Sequence, residues 1–181
     1  VFDAASAFSI SYLLIFLTAL IGVYLYCRQI KISHLPAIAA SFIFSLSGFF
    51  VTHVSHFNLI QSASYLPWLF FLTEKFLQTK QKKWLFFYSL IIQQQLFAGF
   101  QQVVLISLIG VSLYVFFRCR QAVIKWCLFT LLGFILALPQ IYLTWQLVSQ
   151  SFRTNGMPVA EMARFPFLFK NLIGFINPYY F

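Results

Sequence analysis

The stretch "WLFFYSLIIQQQLFAGFQQVVLISLIGVSLYVFF", Trp84 to Phe117, decides the topology of this chain. One membrane crossing takes ~20 apolar residues, so the run is too long for one span and short for two. Lys80, Lys82 and Lys83 precede it, and Arg118, Arg120 and Lys125 follow it. A single crossing would put these two clusters on opposite sides of a bilayer. A hairpin turning near Ala98–Gln102 returns them to the same side. Lys/Arg-bearing connectors are held on the cytoplasmic side, so the hairpin is expected, as two short tilted spans or a re-entrant pair.

Composition points the same way. The 181 residues are 61% hydrophobic and 8% charged, with a mean hydropathy of +0.86. A soluble domain is about 25% charged. So few charges cannot build a water-facing shell, and the bilayer is the expected solvent for most of the surface. Twenty-five Phe and nine Tyr suit the acyl region and the headgroup boundary. The net charge of +9 would suggest nucleic acid in a soluble protein. Here nine of the twelve Lys/Arg fall into three patches, Arg28 with Lys31, Lys75 to Lys83, and Arg118 to Lys125. Such patches read as cytoplasmic connectors, and no nucleic-acid partner is expected.

The fold expected is therefore all-α, a polytopic helical bundle in one membrane domain with about six segments. These run over 7–27, 36–54, 59–76, 84–98, 102–117 and 126–148. An outer loop covers 149–170, and a further apolar element begins at "NLIGFINPYYF". Pro36 sits in a first turn, where its missing N–H is harmless. The chain opens at Val1 without Met or a basic leader and closes on "NPYYF". A piece of a longer polytopic protein, with no signal peptide to remove, is the expectation. Cys27, Cys119 and Cys127 fall at inner ends, where thiols stay reduced. Neither a disulfide nor a structural metal is expected, and no cofactor.

With the basic patches inside, the outer side receives Asp3, the turn "THVSHFN" and the turn at Gln101–Gln102. His53 and His56 are three apart, so on a helix they would share a face. They either anchor a helix at the headgroups or line an outward pocket, donating to phosphate or sugar oxygens or moving a proton. Asn58 lies beside them. Gln93–Gln95 should face other helices or a wet cavity, since an unpaired amide in hydrocarbon is costly. Gln101 and Gln102 have the better claim on a ligand, and Gln140 beside Pro139 marks a kink. Glu74, next to Lys75 at an inner helix end, reads as a solvated surface charge. Asp3 and Glu161, on the outer side, are the weak candidates for a catalytic base, and Arg153 a candidate for holding phosphate.

"SGFFVTHVSHFNLIQSASYLPWLFFLTEK" resembles the bacterial YfhO-like membrane proteins. The shared features are Ser47, Gly48 and Phe49, the histidines His53 and His56, and Pro67 with Trp68. Where the family commonly has Ala-Gly-His-Pro-Gln, this chain reads Ala98, Gly99, Phe100, Gln101, Gln102, lacking the His and the Pro. "FPFLFKNLIGFINPYYF" is similar to the family's segment after its long outer loop. The resemblance covers Ile10 to Phe181. It implies a GT-C-like polytopic glycosyltransferase of the bacterial cytoplasmic membrane. Such an enzyme takes a sugar from a polyprenyl-phosphate carrier and adds it to a glycan or envelope-polymer acceptor at the outer face. It also implies that the family's acidic residues lie in a first outer loop, so this segment supplies pocket wall. Its substrate-binding candidates are His53, His56, Asn58, Gln101, Gln102 and Arg153. A transporter or flippase-like module and a non-catalytic membrane scaffold are the competing readings.

Overall fold

A computed structural model describes residues 3–151 together with Ile173 and Asn177. Among these, every regular element is helical and none is a strand. The chain divides into two compact units, Val1–Gln140 and Ile141–Phe181. The account below concerns the first unit, with the remainder of the last helix belonging to the second.

The first helix, α1, runs Ala4–Gln29 and is the longest at 26 residues. It is followed by α2 (His34–Ser45), α3 (Gly48–Thr52), α4 (Phe57–Ser64) and α5 (Leu66–Thr79). Then come α6 (Lys83–Phe97), α7 (Gln101–Arg118), α8 (Val123–Leu136) and α9 (Leu138–Ser149). Three helical stretches are long and apolar enough to cross a membrane: Ser6–Gln29, His34–Thr52 and Gln101–Arg118. A fourth joins them if the broken pair Arg120–Leu136 and Leu138–Ser149 is one span. Their outward faces are apolar, with Leu13, Ile43, Leu105, Ile124 and Leu128 all exposed. Such a surface is unfavourable in water and suited to lipid.

The apolar segments are interrupted where the backbone loses its pattern. The stretch 36–54 is broken at Leu46 and Ser47, between α2 and α3. The stretch 59–76 is two helices that meet at Tyr65, with Pro67 in the opening turn of α5. A proline there has no N–H to continue the preceding helix. The stretch 126–148 breaks at Ala137, with Pro139 in the first turn of α9. Between α6 and α7 the chain turns at Ala98–Phe100, where Gly99 takes φ +81. A side chain would be strained in that conformation.

Packing forms two apolar clusters. The larger joins α5, α6, α7 and α8 through Leu69, Leu72, Leu85, Tyr88, Ile92, Val111 and Trp126. The smaller joins α1, α3 and α4 through Ile15, Ala19, Phe50, Ile60 and Ala63. α6 and α8 approach closely because Gly133 has no side chain: a Cβ there would meet Ile92 at 2.8 Å and the Ser89 carbonyl at 2.9 Å. The hydroxyl of Ser89 spans the same seam, donating to the Phe129 carbonyl at 2.7 Å. Trp68 ties α5 to α1 by donating to the Thr18 carbonyl at 2.9 Å. Gln95 is fully buried and donates to the Ser62 carbonyl at 3.0 Å and to Ser107 Oγ at 2.8 Å. Gln93 donates to the Leu136 carbonyl at 3.3 Å, whereas Gln94 is exposed.

Glu74 is not the solvated charge that its place beside Lys75 suggests; its side chain is fully buried. Tyr114 Oη donates to its Oε2 at 2.6 Å, and Gln78 Nε2 to its Oε1 at 2.8 Å. Arg118 Nη2 completes the set at 3.3 Å from Oε1. Gln78 also exchanges hydrogen bonds with Gln29, donating to its carbonyl and accepting from its side chain. The last turns of α1, α5 and α7 are thus gathered on one carboxylate. Lys80 Nζ lies 3.9 Å from Cys119 Sγ at the same end. All three basic patches therefore meet at one end of the bundle. The opposite end is marked by Tyr12, whose hydroxyl donates to the Val54 carbonyl at 2.8 Å, and by Phe8 stacked on Phe57. Along α1 the two ends are ~26 Å apart, at about 1.5 Å per residue.

This network makes an ordered prediction for unfolding in detergent. Glu74→Ala removes the acceptor of the half-buried Tyr114 hydroxyl, while the exposed Gln78 keeps the Gln29 carbonyl, and should destabilise by about 1–3 kcal/mol. Arg118→Ala should cost less, because that side chain is 59% exposed and the carboxylate keeps its other two donors. The reverse order would show that the ion pair, rather than the neutral donors, holds the knot.

Candidate functional site

At the end opposite the basic patches, the histidines lie in the link between α3 and α4 and not on one helix face. His53 caps the C-terminus of α3 and His56 the N-terminus of α4. The His56 amide donates to the His53 carbonyl at 2.8 Å, closing a tight turn. That turn brings the ring centroids to 6.0 Å. The expected turn is present, and it brings the two rings together without a shared helix face.

His53 has a defined tautomer. Its Nδ1 lies 2.9 Å from the Phe49 carbonyl, which only accepts, and 3.1 Å from Thr52 Oγ1. The Thr52 hydroxyl spends its proton on the Gly48 carbonyl at 2.6 Å. The proton of a neutral ring therefore sits on Nδ1, and Nε2 carries the lone pair. In that state Nε2 can accept a proton, and once protonated it can donate to an oxyanion. His56 is exposed, with Nδ1 3.1 Å from Ser55 Oγ. Asn58 is exposed in the first turn of α4, where its Oδ1 accepts from the Leu59 amide at 3.0 Å. That leaves its NH₂ group to donate elsewhere.

Phe49, packed against His53, also lines an apolar crevice of about 260 Å³. Phe44, Ser47, Phe49 and Phe50 form one wall, and Ala63 with Leu66 the second. Val103, Ile106 and Ser107 of α7 form the third. Phe49 belongs to both features, since its ring lies 4.9 Å from that of His53 and its carbonyl holds Nδ1. Gln101 and Gln102 are exposed in the first turn of α7, just before the crevice-lining Val103. Among the described residues no hydrogen bond joins them to the imidazoles.

A second hollow, of about 330 Å³, opens between α1 and α4. It is lined by Ser11, Thr18, Phe57, Gln61, Ser64 and Tyr65, among others. Ser11 and Thr18 spend their hydroxyl protons on carbonyls one turn back, those of Ala7 and Leu14. The Gln61 amide and the Tyr65 hydroxyl make no hydrogen bond among the described residues. Neither group was singled out from sequence. The available signal was spacing: Gln61 and Tyr65 are one turn apart, and Ser11 and Thr18 two turns, so each pair shares a helix face.

Of the two carboxylates considered as bases, Asp3 is the N-cap of α1. Its Oδ1 accepts from the Ser6 amide at 3.1 Å. Hydrogen bonding from Ser6 holds its pKa below the ordinary value of 3.8. A carboxylate so held is a weaker base than a free one. Glu161 and Arg153 lie outside the described residues. No group of three or more His, Cys, Asp or Glu suited to a metal occurs among the described residues. No family model, curated protein or solved structure matches the chain.

The Asp3 cap carries a pH dependence whose sign is fixed. A folded-state pKa below the unfolded one stabilises the first turn above the ordinary value, and the contribution is lost as pH falls through the lowered value. Protection of the Ser6 amide from exchange, corrected for intrinsic rate, should hold from neutral pH to about 4 and then decline. Asp3→Ala should show the low protection throughout. A wild-type amide indifferent to acid would remove the cap.

Proposed function

We propose that this chain is part of a multi-pass membrane glycosyltransferase, acting at the outer face of the bacterial cytoplasmic membrane on a polyprenyl-phosphate-linked sugar. The observation that supports it most is an apolar crevice whose wall residue Phe49 also packs against the His53 imidazole, at the end away from the basic patches. A lipid-carried sugar phosphate has the same order of parts. Its isoprenoid tail belongs in hydrocarbon, its phosphate at headgroup level, and its sugar in a wetter space beyond.

In this reading the tail enters between Phe49 and Ile106. His53, His56 and the Asn58 amide donate to phosphate oxygens, and the Gln61 amide and Tyr65 hydroxyl meet sugar hydroxyls. Gln101 and Gln102 flank the crevice mouth. The acceptor hydroxyl attacks the anomeric carbon, the bond from that carbon to the phosphate oxygen breaks, and the phosphate leaves with the electron pair. Donors on the phosphate stabilise that leaving group. The proton of the acceptor passes to a base, the duty for which Glu161 stays the candidate. Arg153 would add a bidentate hold on phosphate.

One observation favours a second reading, a transporter or flippase-like module. Glu74 is a charge inside the bundle, where the sequence suggested none, and buried ionisable groups in membrane helices often mark a translocation path. Its three donors favour a fixed knot over a moving proton.

The test is transfer of sugar from a polyprenyl-phosphate donor in membranes carrying the expressed protein. The double substitution His53→Ala with His56→Ala should slow transfer by roughly a hundredfold or more, the loss of two hydrogen bonds to a charged group. Transfer at the wild-type rate with normal expression would exclude the imidazoles. Movement of the carrier across the bilayer without sugar transfer would favour the second reading.

A further inference from the structure

The basic end has a cavity of its own. Phe76, Lys80, Cys119, Gln121, Ala122 and Lys125 enclose about 110 Å³. At ~30 Å³ per water that is room for three or four waters, the scale of one phosphate group. Among the described residues its cationic wall has no acidic counterpart. Only two carboxylates occur among the described residues, Asp3 and Glu74. Asp3 caps α1 at the other end, and Glu74 is taken by Tyr114, Gln78 and Arg118. Lys80 and Lys125 make no ion pair among the described residues, and both are exposed.

The position of Lys80 is set by the backbone. It ends α5 in the left-handed conformation, φ 57, with its amide bonded to the Phe76 carbonyl at 2.7 Å. A lysine there is uncommon, because the conformation favours glycine. The side chain is thereby directed to Cys119, across from Lys125 in the first turn of α8. Next to the cavity the surface becomes strongly apolar, with Phe117 78% exposed and Ile124 75% exposed. The Arg120 guanidinium lies over the Phe116 ring at 4.6 Å.

We propose that the Lys80–Gln121–Lys125 cavity binds the phosphate of an anionic glycerophospholipid, whose acyl chains lie along the exposed Phe117 and Ile124. The charge selects an anionic head, and the apolar faces beside it select a lipid over a free anion. A seated headgroup would fix the α5 and α8 ends relative to the membrane surface. The proposal requires a bilayer around the bundle and is independent of the glycosyltransferase reading.

The test is native mass spectrometry of the full chain released from detergent micelles, with phosphatidylglycerol or phosphatidylcholine added at equal ratio. Wild-type protein should retain one phosphatidylglycerol in preference to phosphatidylcholine, and added inorganic phosphate should not displace it. Lys80→Gln with Lys125→Gln should weaken retention by roughly thirtyfold, the order expected for two neutralised lysines near an anionic surface. Lys80→Arg with Lys125→Arg should keep it. Lys82→Gln with Lys83→Gln, the same charge change outside the cavity, should also keep it. Equal loss in the Lys82/Lys83 pair, equal retention of phosphatidylcholine, or displacement by inorganic phosphate would overturn the proposal.

Discussion

The Glu74 carboxylate is fully buried in an apolar chain and must find its donors from neighbouring helices. A buried carboxylate without partners is prohibitively costly. Tyr114 and Arg118 come from α7, and Gln78 brings Gln29 of α1 with it. Once those turns are gathered, the segments that follow them are gathered too, and those segments hold the lysines and arginines. The same constraint consumes the acid at that end. Among the described residues no acid is left for the cations around it, which is the basis of the lipid site proposed at Lys80 and Lys125.

The histidine end follows from the geometry of the same bundle. With α1, α5 and α7 pinned at the basic end, the turns at the far end are held by lighter contacts. Tyr12 on the Val54 carbonyl and the Phe8–Phe57 stack are the principal ones. Leu46 and Ser47 interrupt the helical pattern between α2 and α3 within one membrane-length stretch, and Ser47, Phe49 and Phe50 line the crevice beside that interruption. His53 packs on Phe49 of the apolar crevice, and the hollow between α1 and α4 holds an amide and a hydroxyl that make no hydrogen bond among the described residues.

Much of this architecture was legible from residues alone, and the failures have definite causes. Uninterrupted apolar runs with almost no charge announce membrane-length helices, and three such stretches are present. The break at Ala137 was legible as a kink from Pro139 beside Gln140, whereas the one at Tyr65, signalled by Pro67, was masked by the length of its apolar run. Glu74 was misread because its sequence neighbour is a lysine, while its partners Tyr114 and Arg118 lie 40 and 44 residues away. Local sequence cannot report such an approach. The segment "THVSHFN" was legible as an outer turn, but spacing alone suggested a shared helix face and could not show that His56 closes the turn on the His53 carbonyl. Gln61 and Tyr65 escaped notice because a single amide and a phenol in an apolar run look like packing until the facing helix is known.

The account depends on the two ends of the bundle meeting opposite sides of a membrane. Site-directed labelling measures this directly: replace the three native cysteines, introduce His56→Cys or Lys82→Cys, and treat intact cells with a reagent that cannot cross the membrane. The account predicts modification of the His56 position from outside and of the Lys82 position only after the membrane is opened. Labelling of both positions from the same face would contradict it.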